Sequence, residues 1–183
     1  MERLRLIPEY VTRFQVAFPK TVAQPVTPAR LSQAIAAFER TLTSPPAPVD
    51  RFLLGDAAAL TAIQKQGLQI FTEAGCIQCH GGPLFSDFKP HVVGVPNTGP
   101  DGGRAFRTPS LRNLGRTAPY MHNGSLATIR DVLVFYDELS ESVSETLDGG
   151  APASGPALDP LLRQLRLEPD QFPALEAFLD ALN

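Results

Sequence analysis

The stretch Cys76-Ile77-Gln78-Cys79-His80 constrains this chain more than any other, because two thiols and an imidazole so spaced must meet one partner from one short turn. Covalent attachment of a c-type haem needs that set: each thiol adds to a vinyl group as a thioether, and the adjacent histidine becomes the proximal iron ligand. Zinc sites and thiol–disulfide enzymes also use C-x-x-C. A structural zinc site needs four ligands, however, and beyond this motif only His91 and His122 remain, with no second cysteine pair. A redox disulfide requires a thioredoxin-like βαβ pattern, which is absent. A purely structural disulfide would close a loop too short to stabilise much. One motif therefore implies one covalently bound haem c.

The 183 residues, 43% of them hydrophobic, suffice for one compact core. A formal charge of -3 argues against nucleic acid or an anionic membrane surface as partner. Eighteen prolines, about twice the usual share, imply long irregular connections. No apolar run approaches the roughly twenty residues of a membrane span. Met1-Glu2-Arg3-Leu4-Arg5-Leu6-Ile7-Pro8 lacks the apolar stretch of a signal peptide. Haem is joined to this motif outside the cytoplasmic membrane in bacteria. A periplasmic location is therefore expected, with a signal lost upstream or the chain forming part of a longer protein.

Periodicity predicts helices and no alternating strand. The first runs from Pro8 to Phe18, with Tyr10, Phe14 and Phe18 on one face. The second is capped by Thr27, opens on Pro28 and carries the stripe Leu31, Ile35, Phe38 and Leu42. Ser44-Pro45-Pro46-Ala47-Pro48 ends it. A third starts at Thr61, with Gln64 completing a capping box, and runs through Leu68 and Phe71 toward Gly75, delivering the cysteines at its end. From Gly81 to Tyr120 the Gly, Pro and Asn content predicts mostly ordered loop. A fourth helix opens at Thr128, with Asp131 three residues on, and aligns Ile129, Val132, Leu133 and Tyr136, so that Tyr136 points inward. Asp148 to Pro156 reads as a flexible connector. The last helix, around Pro169 to Leu182, buries Phe172, Leu175, Phe178 and Leu179, with Pro173 bending or delaying its first turn. There is no internal repeat. The expected organisation is one all-α domain, 1–183, with a helical lead-in over 1–50 and a haem-binding core over 51–183.

The far side of a haem iron is either open or ligated, and which it is sets potential and reactivity. Met121, the only methionine besides Met1, is the compositional candidate, since Met/His ligation serves electron transfer. Methionine equally fills irregular gaps in cores, and the residue pattern leaves both readings open.

Four ordered motifs go further: Gly75-Cys76-x-x-Cys79-His80-x-Gly82-x-Leu84-Phe85, Gly94-Val95-Pro96, Phe106 to Asn113, and Thr117 to Thr128 with Pro119-Tyr120-Met121-His122-Asn123-Gly124 at its centre. Together with Ala36 to Leu42 and Asp50-Arg51-Phe52, they resemble the carboxy-terminal haem domain of bacterial diheme cytochrome c peroxidases and the related MauG-type enzymes. The resemblance covers most of the chain and implies a cytochrome c-like haem domain with long ordered loops.

That resemblance implies further roles. Its sixth iron ligand falls on Tyr136, where MauG-like members place a tyrosine and the peroxidases a methionine, while Met121 is the runner-up. A tyrosinate is a hard anionic donor that favours ferric and higher-valent iron. A calcium ion is implied between the family's two haem domains, with the Thr117 and Pro119 carbonyls as half of its site and the rest in the other domain. His122 and Arg112 are candidates for haem propionate contacts, with a structural hydrogen bond and a surface charge as their plain alternatives. His91 reads as a satisfied loop histidine. The Asn97 to Arg104 loop is shorter than the corresponding peroxidase loop.

The family reduces peroxide at a haem in an amino-terminal domain, with a Glu nearby and a Trp between the haems, whereas this chain has one haem motif and no Trp. No catalytic acid or base is assignable in it. Two functions follow. One is the electron-transfer domain of a peroxidase-like oxidoreductase, partnered by an amino-terminal haem domain in the same or a split chain, and by a small redox protein donor or a protein substrate. The other is a stand-alone monohaem electron carrier.

Overall fold

The computed structural model describes residues 1–18, 24–95, 104–147 and 158–183, apart from the side chains of 141–147. Asn97 to Gly103 of the expected short loop and the Asp148 to Pro156 connector lie outside the described residues. The chain divides into two compact units, Met1–Pro45 and Pro46–Asn183.

In the first unit, α1 (Glu2–Arg5) and α2 (Pro8–Ala17) precede α3 (Pro28–Glu39). Thr27 caps α3 by accepting a hydrogen bond from the Arg30 amide at 3.3 Å, and Pro28 fills its first turn, where a missing amide costs nothing. Phe14 is buried and stacks on Phe18, with 5.8 Å between ring centroids. The helix expected from the stripe Leu31, Ile35, Phe38 and Leu42 is formed over Pro28–Glu39, with the stripe largely open to solvent. None of its residues is buried, Ile35 and Phe38 are exposed, and Leu42 lies exposed beyond the helix end. Tyr10 is also exposed.

The second unit holds α4 (Pro48–Leu53), α5 (Ala62–Glu73), α6 (Ile129–Leu147) and α7 (Phe172–Asp180). The expected caps of α5 and α6 are formed. The Gln64 side chain accepts from the Thr61 amide and the Asp131 carboxylate from the Thr128 amide, while the Thr61 and Thr128 hydroxyl oxygens accept from the Gln64 and Asp131 amides. A 3-10 turn, Pro169–Gln171, leads into α7, whose second residue is Pro173, so this proline sits where no amide partner is needed. The long region between the motif and α6 is mostly ordered loop. It departs from an all-helical chain in a two-residue antiparallel ladder of β1 (Pro90–His91) and β2 (Phe106–Arg107).

The core forms where α5 crosses α7. Gly67 makes the approach possible: a Cβ there would collide with the Ala174 carbonyl oxygen. Phe71 and Phe178 meet with centroids 5.1 Å apart, and Phe85 closes the cluster at 6.1 Å from Phe178. Phe178, Leu175 and Leu182 are fully buried. Burial of each contributes roughly 1.5–3 kcal/mol. Among the described residues no helix is long and apolar enough to cross a membrane.

Candidate haem site

Helix α5 ends at Ala74, and Gly75 then adopts φ +92, a left-handed conformation that stops the helix and turns the chain. The next residues, Cys76–Gln78, form a 3-10 turn that sets the cysteines and His80 along one lip of a cavity of about 610 Å³. That volume lies within the roughly 300–1,000 Å³ of cofactor pockets. The walls are mainly apolar. Val93 and Val95 come from the loop, Ile129, Val132, Leu133 and Tyr136 from α6, Leu161, Leu162 and Leu165 from the 3-10 turn Pro160–Gln164 and its exit, and Leu175 and Leu179 from α7.

The motif residues fit a covalently attached haem on grounds independent of their spacing. His80 Nδ1 lies 3.1 Å from the Phe85 carbonyl, which can only accept, so Nδ1 carries the proton and Nε2 keeps its lone pair for a metal. Burial lowers the His80 pKa and so favours the neutral, ligating form. The two thiols are free, and burial pushes both up to about 11. Neutral thiols that become neutral thioethers never place a charge in the apolar wall. Zinc would need two thiolates there. Among the described residues no group of three or more His, Cys, Asp and Glu is placed to hold a metal ion.

Tyr136 and Met121 both line the cavity. Burial, then the nearby Cys76 and Cys79, push the Tyr136 phenol pKa far up, so without a metal it is a neutral phenol. Its ring meets Phe135 edge-on at 5.2 Å. Met121 is held at φ +66 in the turn bracketed by the Tyr120–Leu126 bridge. His122 is exposed at the cavity and stacks on Phe106, with centroids 3.7 Å apart. Thr117 and Pro119 also border the cavity and are exposed.

Arg112 is elsewhere. It does not line the cavity: its guanidinium is taken up by Asp50 and the Pro83 carbonyl and lies 5.0 Å over the Phe85 ring. That carboxylate and carbonyl engage the donors a propionate would need. His91 is satisfied, as expected of a loop histidine, but by Asp87 and Asp159, two residues the sequence did not single out. Only a family of apolar residues without helical spacing marks the Val93–Val95 and Leu161–Leu165 walls.

Several known proteins resemble this chain. The sequence model of the family described as di-haem cytochrome c peroxidase matches residues 1–58. The cytochrome-c peroxidase IdrP2 of Denitromonas iodatirespirans is 36% identical over 222 residues, covering 100% of this chain and 55% of that protein. The methylamine utilization protein MauG of Methylorubrum extorquens is 39% identical over 150 residues, 74% of this chain and 42% of that protein. The crystal structure of a MauG-like protein associated with microbial copper homeostasis superposes with a TM-score of 0.69 at 31% identity, covering 99% of this chain and 60% of the other.

The chain therefore belongs to the di-haem cytochrome c peroxidase and MauG family of haem c oxidoreductases. It spans about half the length of the curated relatives it matches.

Proposed function

We propose that this chain is the electron-transfer haem domain of a periplasmic di-haem peroxidase-like oxidoreductase. Cys76 and Cys79 hold the haem as thioethers, His80 binds its iron through Nε2, and Tyr136 supplies the sixth ligand. The observation that supports this reading is an apolar cavity lined both by the motif on its turn and by Tyr136 on α6. When bound, the haem supplies one-electron chemistry, passing electrons to a peroxide-reactive haem in an amino-terminal domain.

The chain's own residues prepare that site. The Phe85 carbonyl fixes the His80 tautomer and ring plane. Leu161, Leu162 and Leu165 keep water from the wall. Tyr136 must shed its phenolic proton to bind a metal, so its ligation is coupled to proton release. Thr117 and Pro119 carbonyls belong to half of a calcium site completed by the other domain, and His122 contacts a propionate at the cavity edge. Electrons come from a small redox protein or are drawn from a protein substrate.

Met121 is the second reading for the sixth ligand, favoured by its place on the same wall in a left-handed conformation that methionine seldom adopts. Optical and electron paramagnetic resonance spectra of the haem-loaded chain decide between them. Tyr136→Phe is expected to change the ferric coordination and Met121→Leu to leave it alone. The reverse result makes the site a Met/His electron-transfer haem. A spectrum that ignores both substitutions, in a chain that carries haem and meets no second haem domain, favours the stand-alone carrier with another ligand.

A further inference from the structure

His91 lies in β1 with 8% of its surface exposed, and each ring nitrogen meets a different carboxylate. Nδ1 is 2.7 Å from Asp159 Oδ2 and Nε2 is 2.9 Å from Asp87 Oδ2. An ionised carboxylate can only accept, so both nitrogens donate and the ring is an imidazolium. Burial alone would lower the His91 pKa, but the two carboxylates outweigh it and raise it. The Asp87 and Asp159 side chains keep only 16% and 20% of their exposure, so this pairing is poorly screened.

Each carboxylate belongs to a different piece of the cavity wall. The Asp87 amide donates to the Cys79 carbonyl at 2.8 Å, which anchors it to the attachment turn. The Asp159 amide donates to the Val92 carbonyl at 3.0 Å, while its Oδ1 accepts from the Leu161 amide at 2.9 Å and caps the Pro160–Gln164 turn. That turn carries Leu161 and Leu162 into the wall. His91 itself borders the cavity, so the triad joins two walls and places a net single negative charge beside them.

We propose that Asp87, His91 and Asp159 form a charge clamp, in which His91 is a positioning residue that ties the Leu161–Leu165 wall to the attachment turn and sets the field at the haem. The inference rests on the haem reading above. A purely mechanical clamp would affect order alone. A clamp that also sets the field makes its two halves act oppositely. His91→Gln leaves two carboxylates uncompensated and disfavours the added electron, whereas Asp159→Asn leaves a neutral pair and favours it.

The test uses the full haem-loaded chain and its His91→Gln and Asp159→Asn variants, measured by pyridine haemochrome, redox titration and hydrogen exchange. Covalent haem is expected in all three. The reduction potential should fall in His91→Gln and rise in Asp159→Asn, and amides of 159–165 should exchange at least tenfold faster in both. Potentials that move together, or not at all, overturn the electrostatic role. Unchanged exchange in both variants overturns the clamp. If His91→Gln does not fold, the near-isosteric Asp159→Asn decides alone, through a raised potential and faster exchange. Failure of the native chain to bind haem overturns the haem reading instead, and exchange of the haem-free chains still decides the clamp.

Discussion

Arg112 grips Asp50 with two parallel hydrogen bonds, Nη1 to Oδ2 at 3.0 Å and Nη2 to Oδ1 at 2.6 Å. Asp50 also accepts from the Ala47 amide at 2.8 Å, so one carboxylate caps α4 and joins it to a segment 62 positions away. Nη2 and Nε of Arg112 reach the Pro83 carbonyl as well, at 2.7 and 3.0 Å. Three separate stretches of the second unit thus share one guanidinium.

Removing that group leaves a partly buried carboxylate and a carbonyl short of donors. Arg112→Ala is expected to cost about 2 kcal/mol in chemical denaturation. Arg112→Lys should recover less than half, because an ammonium cannot pair in a fork. A change within about 0.5 kcal/mol for Arg112→Ala would show that solvent replaces the pairing without loss.

Gly67→Ala separates helix propensity from packing. In an isolated helix the substitution would stabilise by about 1 kcal/mol. Here the new methyl meets the Ala174 carbonyl oxygen and Phe178 Cβ, with α7 backbone in the way. A net loss of about 2–3 kcal/mol is expected, seen as a lower denaturation midpoint. A gain would mean that α5 and α7 can part without disturbing Phe71 and Phe178.

Stability should fall at both ends of the pH range. Burial works to raise the Asp87 carboxyl, but the Lys89 amide, His91 and Thr108 hold it down to about 2. Its folded pKa is depressed, so its contribution is complete above the unfolded value near 4 and fades as pH drops from about 4 to about 2. The His91 pKa is raised in the fold, so its contribution is complete below about 6.5 and fades as pH climbs through the higher folded value. Thermal unfolding across pH 2 to 9 reads both limbs. A profile flat below pH 4 would contradict the Asp87 contribution.

Loss of one thiol should leave one thioether. After expression with haem-attachment machinery, Cys76→Ala and Cys79→Ala are each expected to keep haem on a denaturing gel, with a red-shifted pyridine haemochrome band. The double variant should keep none. Retention of gel-stable haem by the double variant would place the linkage elsewhere.

What was legible in the sequence is what local chemistry decides. Thr27, Thr61 with Gln64, and Thr128 with Asp131 cap their helices through bonds that span three residues. Periodicity gave the buried face of α7 because Phe172, Leu175, Phe178 and Leu179 have a partner helix. The same kind of stripe marked α3 correctly as a helix, but spacing marks a face and says nothing about what covers it. Arg112 read as a candidate propionate contact or a surface charge, because its partner Asp50 is distant in sequence. The Asp87, His91 and Asp159 cluster was invisible for the same reason, and the cavity walls drawn from loops carry no period at all. The family resemblance, not periodicity, pointed to Tyr136 as a ligand rather than a core aromatic.

The crossing of α5 and α7 also sets an order of events in biosynthesis. Phe71, at the end of the helix that leads to the attachment cysteines, finds its partner in Phe178, and the Asn113 amide finds its acceptor in Leu182. The floor beneath the cavity is therefore finished by residues synthesised well after the attachment cysteines. Until they emerge, the turn that carries Cys76 and Cys79 rests on an unfinished scaffold.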